Sequence, residues 1–314
     1  MISIQETVNS FLNILRDKGE GEPFSRFKSW EYCHNIFVQY HQHIVNNELT
    51  EDDKDILALH LGFYLASWGM YRGSSFILQR DYKTHKRVVN IVFKEEYNDL
   101  WNFDPLGKSD DELKRIAKLA NVAYNDIDQN GYRDENGHIP ERTILEEDNE
   151  EDSTEDESIS TTLITKILMG TFAITPAFDR FFIDGLKKYN NANNQKGSSY
   201  NEERILKLFI FANNHRNELD TADRITTFPY PIMKKIDMYF WEIGYEFGFI
   251  KPLIDLRNYL NQNNAAFICD TKKLKVFNRL ISQINVFAPE VQNFSGTHLE
   301  IIDNTVSMIE HRIY

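Results

Sequence analysis

A strongly acidic segment, Glu146–Glu157, sets the main limit on how this chain can fold. It carries nine carboxylates in twelve residues, and so dense a run of like charges cannot be buried in a protein core. We therefore predict that this segment is a disordered insertion in an otherwise folded protein. Without its nine charges the net charge of the chain would be −4 rather than −13, so the overall acidity neither supports nor excludes a nucleic-acid partner.

Apolar residues on both sides of the insertion recur mainly at helical spacing. Hydrophobic residues make up 41% of the 314 residues, enough for a sizeable core, and only 14 glycines and 8 prolines interrupt them. Val88–Phe93 fits a short strand or a helical segment, because periodicity alone does not separate the two. Elsewhere the spacing predicts helices at about 3–17, 27–46, 50–70, 109–123, 161–170, 178–189, 201–218, 231–248, 252–261, 271–284 and 297–311.

These patterns predict an all-α fold, with a single large domain made of two helical lobes. The N-terminal lobe covers residues 1–124, a polar and acidic linker covers 125–160, and the C-terminal lobe covers 161–314. We expect a cleft between the lobes, because ligand sites commonly form where two such units meet.

Cysteine content and hydropathy predict a cytoplasmic protein. Cys33 and Cys269 are too few and too far apart for a disulfide framework, which favours a reducing compartment. The N-terminal residues show no basic leader followed by an apolar run. No stretch approaches the roughly 20 apolar residues that span a bilayer, so we expect no membrane partner. The sequence leaves the oligomeric state open.

One polar segment follows the start of a calcium-binding loop. Asp126, Asp128 and Asn130 place oxygen ligands at alternate positions, and Gly131 stands at the sixth position, as such loops require. The twelfth position should provide a bidentate glutamate, but it holds Gly137. The segment therefore fits a polar loop better than a calcium site.

A second polar group contains Cys33, His34, His41 and His43. Structural zinc needs four ligands, usually in two closely spaced pairs, and no second pair is present. A surface helix with scattered histidines explains these residues better. The chain also lacks the GxSxG, Walker, GxGxxG and HExxH motifs, so we expect neither a metal nor a cofactor.

The end of the predicted helix 50–70 carries a group of side chains suited to binding a nucleotide. Arg72 would clamp a phosphate, and an aromatic ring beside it would stack on a base. The structural alternative is a helix C-terminus with Gly73 as the C′ residue and the aromatic rings in the core. The candidate substrate-binding residues of this segment are Trp68, Tyr71, Arg72 and Ser74.

The segment from Thr165 to Phe182 predicts a helix, a turn and the start of a new helix. Its turn contains Pro-x-x-Asp, with Pro176 three residues before Asp179. Asp179 would lie in or near the first turn of the second helix, where backbone N–H groups and the helix dipole stabilise its ionised form. The structural alternative is an ordinary N-cap after a proline, with Lys166 as a solvated helix residue.

This run resembles the part of helix-hairpin-helix DNA glycosylases in which a hairpin lysine is followed by a turn carrying the catalytic aspartate. Members with a Ser/Thr-Lys pair, an apolar helix and Phe-Pro-x-x-Asp are more similar still. Pro229–Gly244 is similar to the downstream helix of those proteins, so the resemblance covers about 80 residues of 314. The chain departs from the family at the glycine-rich hairpin, where only Gly170 is present, and in its shorter spacing from lysine to aspartate.

The resemblance implies an enzyme that flips a damaged or modified base out of double-stranded DNA and excises it, in repair or in defence against phage. Asp179 would stabilise the positive charge that develops on the sugar as the N-glycosidic bond breaks. Lys166, if desolvated near the sugar C1′, would attack as an amine, form a Schiff base and nick the strand. An aromatic pocket would offset the cost of unstacking the base, and its candidate residues are Trp68, Tyr71, Tyr239 and Trp241.

Two other classes of function fit the same residues. One is a non-catalytic helical protein that binds nucleic acid or protein, in which Asp179 is a cap. The other is a metal-dependent nuclease or toxin that uses Asp179, Asp237 and further carboxylates. A glycosylase needs Asp179 to face an aromatic-lined cleft near Lys166 or Arg72. A cap needs Asp179 bonded to its own helix with no cleft beside it, and a metal site needs two or three carboxylates within a few ångströms of one another.

Overall fold

The chain is helical on both sides of the predicted insertion. The computed structural model describes residues 3–16, 26–43, 49–72, 75–78, 80–134, 137–139, 159–192, 199–221 and 228–313. Glu146–Glu157, Gly73 and Ser74 lie outside these residues. The described residues contain no β-strand, which confirms the all-α prediction, and none of their helices has the length and apolar character needed to cross a bilayer.

Thirteen α-helices occur in the described residues, close to the predicted positions. The sequence left Val88–Phe93 open between a strand and a helix. In the structure its first five residues belong to the fourth helix, and Phe93 is the C-cap. Short 3₁₀-helices lie at Tyr82–His85, Glu95–Leu100 and Pro289–Asn293. The α-helices are α1 (Ile4–Arg16), α2 (Arg26–His43), α3 (Glu51–Ser67), α4 (Lys86–Val92), α5 (Asp110–Asn130), α6 (Thr161–Gly170), α7 (Arg180–Ala192), α8 (Glu202–Asn214), α9 (Arg216–Thr221), α10 (Ile232–Phe247), α11 (Ile250–Gln262), α12 (Thr271–Ile284) and α13 (His298–Ile313).

Side-chain caps determine where the first and third helices begin. At α3 the hydroxyl of Thr50 accepts a hydrogen bond from the N–H of Asp53 at 3.2 Å, and the Asp53 carboxylate accepts one from the N–H of Thr50 at 2.9 Å. Ser3 and Glu6 form the same reciprocal pair at α1. Caps of this kind contribute about 1 kcal/mol each, which explains why these helix starts are visible in the sequence.

Helix α3 ends earlier than predicted, at the C-cap residue Trp68. Gly69, with a φ of 75°, adopts the left-handed conformation that was expected of Gly73. The N–H of Met70 then donates to the carbonyl of Leu65 at 2.9 Å, which completes a Schellman motif. The C′ assignment to Gly73 was therefore wrong, because an earlier glycine already ends the helix.

Helix α5 continues to Asn130, two turns beyond its predicted end. Residues 126–130, which resemble the start of a calcium loop, are therefore helical. Both interpretations of these residues, as a calcium-binding loop and as a polar loop, were wrong. Ile127 is buried at helical spacing. The carboxylate of Asp126 is bonded to Lys94 at 2.5 Å and to the hydroxyl of Tyr97 at 2.9 Å. These contacts with a distant segment stabilise a helix end that looks too polar in the sequence.

Helices α7 and α10 cross with their backbones in direct contact. A Cβ atom on Gly185 would lie 1.9 Å from the carbonyl oxygen of Phe240, and one on Gly244 would lie 1.9 Å from that of Phe181. Glycine alone fits at both positions. The crossing places Phe181 at the start of α7 against Gly244, and the turn before α7 contacts α10 nearer its start, at Asp237, where the candidate active site lies.

The buried apolar side chains form one continuous cluster that extends along the chain from Ile4 to Ile309. Both predicted lobes contribute to it. The division into residues 1–124 and 161–314 and the cleft between the lobes stay predictions.

Candidate active site

Four charged side chains from three segments of the chain come together, three of them buried and one, that of Asp179, partly buried. They are Lys166 on α6, Asp179 immediately before α7, and Lys234 and Asp237 on α10, and we refer to them as the four-charge cluster. The Nζ atom of Lys166 lies 3.6 Å from Oδ2 of Asp179, and the Nζ atom of Lys234 lies 2.7 Å from Oδ2 of Asp237. Two positive and two negative charges balance each other, as buried charges must.

The turn between α6 and α7 is fixed from two sides. From α6, the hydroxyl of Thr165 accepts a hydrogen bond from the N–H of Phe178 at 2.9 Å. From α10, Asp237 accepts one from the N–H of Ala177 at 2.9 Å. Within the turn, the buried residue Ala173 has a φ of 54°, a strained conformation for alanine of the kind that is concentrated at functional sites. These contacts hold Asp179 at a defined position relative to α6.

Helix α2 packs behind the turn and is hydrogen-bonded to two carbonyl groups at the end of α6 and the start of the turn. The indole N–H of Trp30 donates to the carbonyl of Met169 at 3.1 Å. The Nδ1 atom of His34 is hydrogen-bonded to the carbonyl oxygen of Thr171 at 2.9 Å. The Trp30 and His34 rings are stacked with their centroids 5.1 Å apart. Burial therefore keeps the His34 ring neutral and lowers its pKa to about 4.

Trp68 is the predicted aromatic residue that contacts the cluster. Its carbonyl oxygen accepts a hydrogen bond from Lys166 Nζ at 3.1 Å. Its ring centroid lies 5.6 Å from the same nitrogen and 5.3 Å from Lys234 Nζ. Trp30 lies on the other side, with its ring 5.2 Å from Lys234 Nζ. Cation–π contacts of this kind contribute about 0.5–2 kcal/mol each.

The other predicted residues after α3 make different contacts. The hydroxyl of Tyr71 is hydrogen-bonded to Nε2 of His85 at 2.7 Å. Arg72 is exposed, and its guanidinium lies over Gly69. Its side chain is therefore available to solvent at the end of the segment that carries Trp68.

Tyr239 and Trp241 pack among aromatic rings and not against the cluster. Tyr239 is buried against Phe240, with the two centroids 4.9 Å apart. Trp241 contacts Phe181 at 5.0 Å and Phe11 at 5.3 Å, edge to face in both cases. The structure therefore brings Lys166, Asp179 and Trp68 together but does not bring these two rings to them.

Burial changes the protonation equilibria of the catalytic candidates. It lowers the pKa of Lys166, an effect that the carboxylates of Asp179 and Asp237 oppose. It raises the pKa of Asp179, an effect that the charge of Lys166 opposes. Lys166 is therefore closer to a free amine than a surface lysine is, and the charge of Lys166 favours the ionised form of Asp179.

Asp179 is also the N-cap of α7. Its Oδ1 atom accepts a hydrogen bond from the N–H of Phe182 at 3.1 Å, while Oδ2 faces Lys166. The contact to its own helix and the contact to lysine are made by different oxygens of one carboxylate. The geometry thus satisfies the structural requirement of a cap and one part of the requirement of a glycosylase, the proximity of Asp179 to Lys166, whereas the aromatic-lined cleft at Asp179 stays a prediction.

Two members of this site, Lys234 and Trp30, were missed in the sequence. A signal was present for the lysine, because Lys234 and Asp237 lie three residues apart in a mainly apolar stretch. On a helix such residues share one face and can pair. Trp30 gave no comparable signal, since a buried tryptophan is an ordinary core residue.

A metal site has no support among the described residues, which contain no group of three or more His, Cys, Asp or Glu placed to hold one ion. Cys33 is fully buried, and burial raises the pKa of its thiol. His34 faces the α6–α7 turn, whereas His41 is bonded to the side-chain oxygen of Asn98 at 3.1 Å and stacks on Trp101. The description of a surface helix was wrong for Cys33 and His34, because this face of α2 covers the core.

Comparison of the chain with models of protein families, with characterised proteins and with solved structures gave no match. Function is therefore inferred from the geometry of the four-charge cluster and from the short motifs around Lys166 and Asp179.

Proposed function

We propose that this protein is a DNA N-glycosylase-like enzyme that excises a damaged or modified base from double-stranded DNA, in repair or in defence against phage. The observation that carries the proposal is the ion pair of the buried Lys166 with the partly buried Asp179. The two residues lie on opposite sides of one turn, 3.6 Å apart, with Trp68 against the lysine. This is the arrangement that the resemblance to helix-hairpin-helix DNA glycosylases implies.

Asp179 would act on the sugar. As the bond from C1′ to the base breaks, its electron pair leaves with the base and positive charge develops on the sugar, which a nearby carboxylate stabilises. Water then adds its oxygen to C1′ and gives up a proton, and the departing base takes up one. The side chain of Asp179 is 16% exposed and that of Lys166 only 5%. The sugar would therefore approach from the side of Asp179.

Lys166 would act in one of two ways. As an ammonium group it keeps Asp179 ionised, against the burial that raises the pKa of that carboxyl group. As an amine, which burial favours, it would attack C1′ while the base leaves with the electron pair of the broken bond. Loss of a proton and opening of the sugar ring would then give a Schiff base. Borohydride reduction, which makes that adduct permanent, separates the two roles.

The test incubates the protein with duplex DNA that carries a panel of modified bases and then cleaves abasic sites with alkali. We expect breaks at a modified base, and we expect Asp179→Asn to slow their formation by about 100-fold or more. Asparagine caps helices as well as aspartate does, so this substitution removes the charge and keeps the cap. Breaks that persist at the wild-type rate in Asp179→Asn would remove the catalytic role of Asp179.

Asp270 provides a matched control. It is the N-cap of α12, accepts a hydrogen bond from the N–H of Lys273 at 2.8 Å and is exposed. Asp270→Asn makes the same chemical change at a helix start that has no part in the four-charge cluster. It should leave the rate of base release unchanged.

The trapping experiment also has a test variant and a matched control, at two buried lysines. Lys166→Ala should abolish borohydride trapping if Lys166 forms the Schiff base. Lys235 is also buried, with Nζ donating to the carbonyl of Leu219 at 2.8 Å. Lys235→Ala should therefore retain trapping. Trapping that survives Lys166→Ala would exclude Lys166 as the nucleophile.

A non-catalytic helical protein that binds nucleic acid or another protein is the second candidate function. The hydrogen bond from the N–H of Phe182 to Asp179 favours it, because capping α7 is by itself a sufficient structural role for this residue. In that case no modified base would be released by the wild-type protein, and Asp179→Asn would bind duplex DNA as the wild type does.

A further inference from the structure

A cavity of about 270 Å³ lies between α7, α8 and α10, and shares no residue with the four-charge cluster. Its apolar wall includes the rings of Tyr189, Phe211 and Phe240, and Arg204 and Lys207 of α8 provide basic groups. Its volume is near the lower end of the roughly 300–1,000 Å³ of small-molecule sites. A ligand with one ring system would fill it.

The aromatic wall is preformed. The ring of Tyr189 packs edge to face on Phe211 and on Phe240, with centroid distances of 5.4 and 5.5 Å. Phe211 and Phe240 lie 5.3 Å apart. Because each ring contacts the other two, their orientations are fixed by mutual packing. The wall therefore offers a rigid apolar surface to a planar ligand.

The basic groups give the cavity a preference for anions. Arg204 is 6% exposed, and burial lowers the pKa of its guanidinium. Lys207 lies one turn further along α8, more exposed, and pairs with Glu203 at 2.6 Å. Among the described residues that line the cavity, none carries a carboxylate. A guanidinium presents a planar fork of N–H donors that matches a carboxylate or a phosphate.

We propose that this cavity binds a small planar aromatic anion. The ring would lie against Tyr189, Phe211 and Phe240, and the carboxylate or phosphate would bind Arg204, with Lys207 adding a weaker attraction. The proposal is independent of the glycosylase proposal, because the two sites use different residues and different assays.

The test measures binding by isothermal titration calorimetry with five probes on the full chain. 5′-AMP and indole-3-acetate carry a phosphate and a carboxylate, adenosine and indole are their neutral counterparts, and inorganic phosphate is the anion without a ring. We expect at least one of the two aromatic anions to bind about tenfold or more tightly than its neutral counterpart and than phosphate. The anion that binds identifies the group that Arg204 recognises.

Variants separate recognition from folding. Arg204→Gln should weaken binding of the anion by about tenfold or more, and Arg257→Gln, an arginine of α11 outside the cavity, should not. Ile210 also lines the cavity and is 40% exposed, so its substitution leaves the core intact. Ile210→Glu places a carboxylate at the cavity and should weaken the anion about tenfold, whereas Ile210→Gln should have little effect.

Three results would overturn the proposal. The first is that none of the five probes binds. The second is equal binding of the anionic and neutral members of each pair. The third is binding of the anion that is unchanged by Ile210→Glu.

Discussion

Asp237 on α10 accepts a hydrogen bond from the backbone N–H of Ala177 at 2.9 Å, two residues before Asp179. Its other carboxylate oxygen is bonded to Lys234 at 2.7 Å. One buried side chain thus connects α10 to the turn that carries the candidate catalytic aspartate. The position of Asp179 relative to Lys166 therefore depends on a residue of another helix.

Replacing Asp237 by asparagine should destabilise the fold by about 3–5 kcal/mol. Asparagine can still accept from the N–H of Ala177, but the ammonium group of Lys234 is left buried without its carboxylate. The measurement is equilibrium urea unfolding. The double variant Lys234→Met/Asp237→Asn should recover part of the loss, because it removes the unpaired charge. A loss below about 1 kcal/mol for Asp237→Asn would show that the pair contributes little.

The crossing of α7 and α10 should not tolerate a methyl group. Gly185→Ala and Gly244→Ala would each place Cβ 1.9 Å from a backbone carbonyl oxygen, so the helices must separate. We expect each variant to lose at least about 1–3 kcal/mol of stability, measured by urea unfolding. Gly248→Ala, at the end of α10, would place Cβ at 3.1 Å from the carbonyl oxygen of Tyr245 and should lose less. Equal losses at all three positions would argue against the crossing as the cause.

The helices were largely predictable from the sequence because their determinants are local. Residues 161–170 and 271–284 have the predicted bounds, and Thr50 with Asp53 caps α3 as its sequence indicates. The failure at the end of α5 has a long-range cause. The polar sequence around Asp126 predicts a loop, because the contact with Lys94 that stabilises the helix there joins residues 32 positions apart.

The candidate site was only partly predictable. The motif around Lys166 and Asp179 and its resemblance to a known family brought those two residues together, and Trp68 was among the aromatic candidates. Lys234 enters the site through long-range packing of α10, which places its Nζ atom between the rings of Trp30 and Trp68, and the sequence does not reveal these contacts. Trp241 lies on the same helix as Lys234 but packs against Phe181 and Phe11, and these contacts are also long-range.

His85 should make the protein sensitive to mild acid. It is fully buried, with Tyr71 hydrogen-bonded to Nε2 at 2.7 Å and Tyr132 to Nδ1 at 2.8 Å, and burial lowers its pKa from 6.5 to about 3. The unfolded chain therefore takes up a proton first as the pH falls. The stability that depends on the neutral ring is complete above pH 6.5 and is lost progressively towards pH 3.

At pH 5 the loss from His85 relative to pH 7 should be about 2 kcal/mol. Urea unfolding of the wild type and of His85→Gln at the two pH values measures it, since glutamine offers a donor and an acceptor but does not titrate. From pH 7 to pH 5 the free energy of unfolding of His85→Gln should fall by about 2 kcal/mol less than that of the wild type. Between pH 8 and pH 7, where His85 is neutral in the folded state and mostly neutral in the unfolded state, the two proteins should differ by only about 0.2 kcal/mol. The same pH dependence in both proteins over the acid range would contradict the assignment.

Removal of the acidic insertion should leave the fold intact. The nearest described residues on either side, Ile139 and Ile159, are 5% and 3% exposed, so the chain is anchored in the core before and after the segment. Glu146–Glu157 lies outside the described residues, and its sequence predicts no contribution to that core. After its deletion seven residues would still separate the two isoleucines, a reach of up to about 26 Å.

We expect the deletion to change the free energy of unfolding by less than about 1 kcal/mol, because loop length affects stability only weakly. Urea unfolding should give the same midpoint and slope as the wild type. The net charge would become less negative, changing from −13 to −4, which lowers the repulsion from DNA phosphates, so any binding to duplex DNA should tighten at low salt. Loss of the cooperative transition on deletion would show that the segment belongs to the folded structure and is not an insertion.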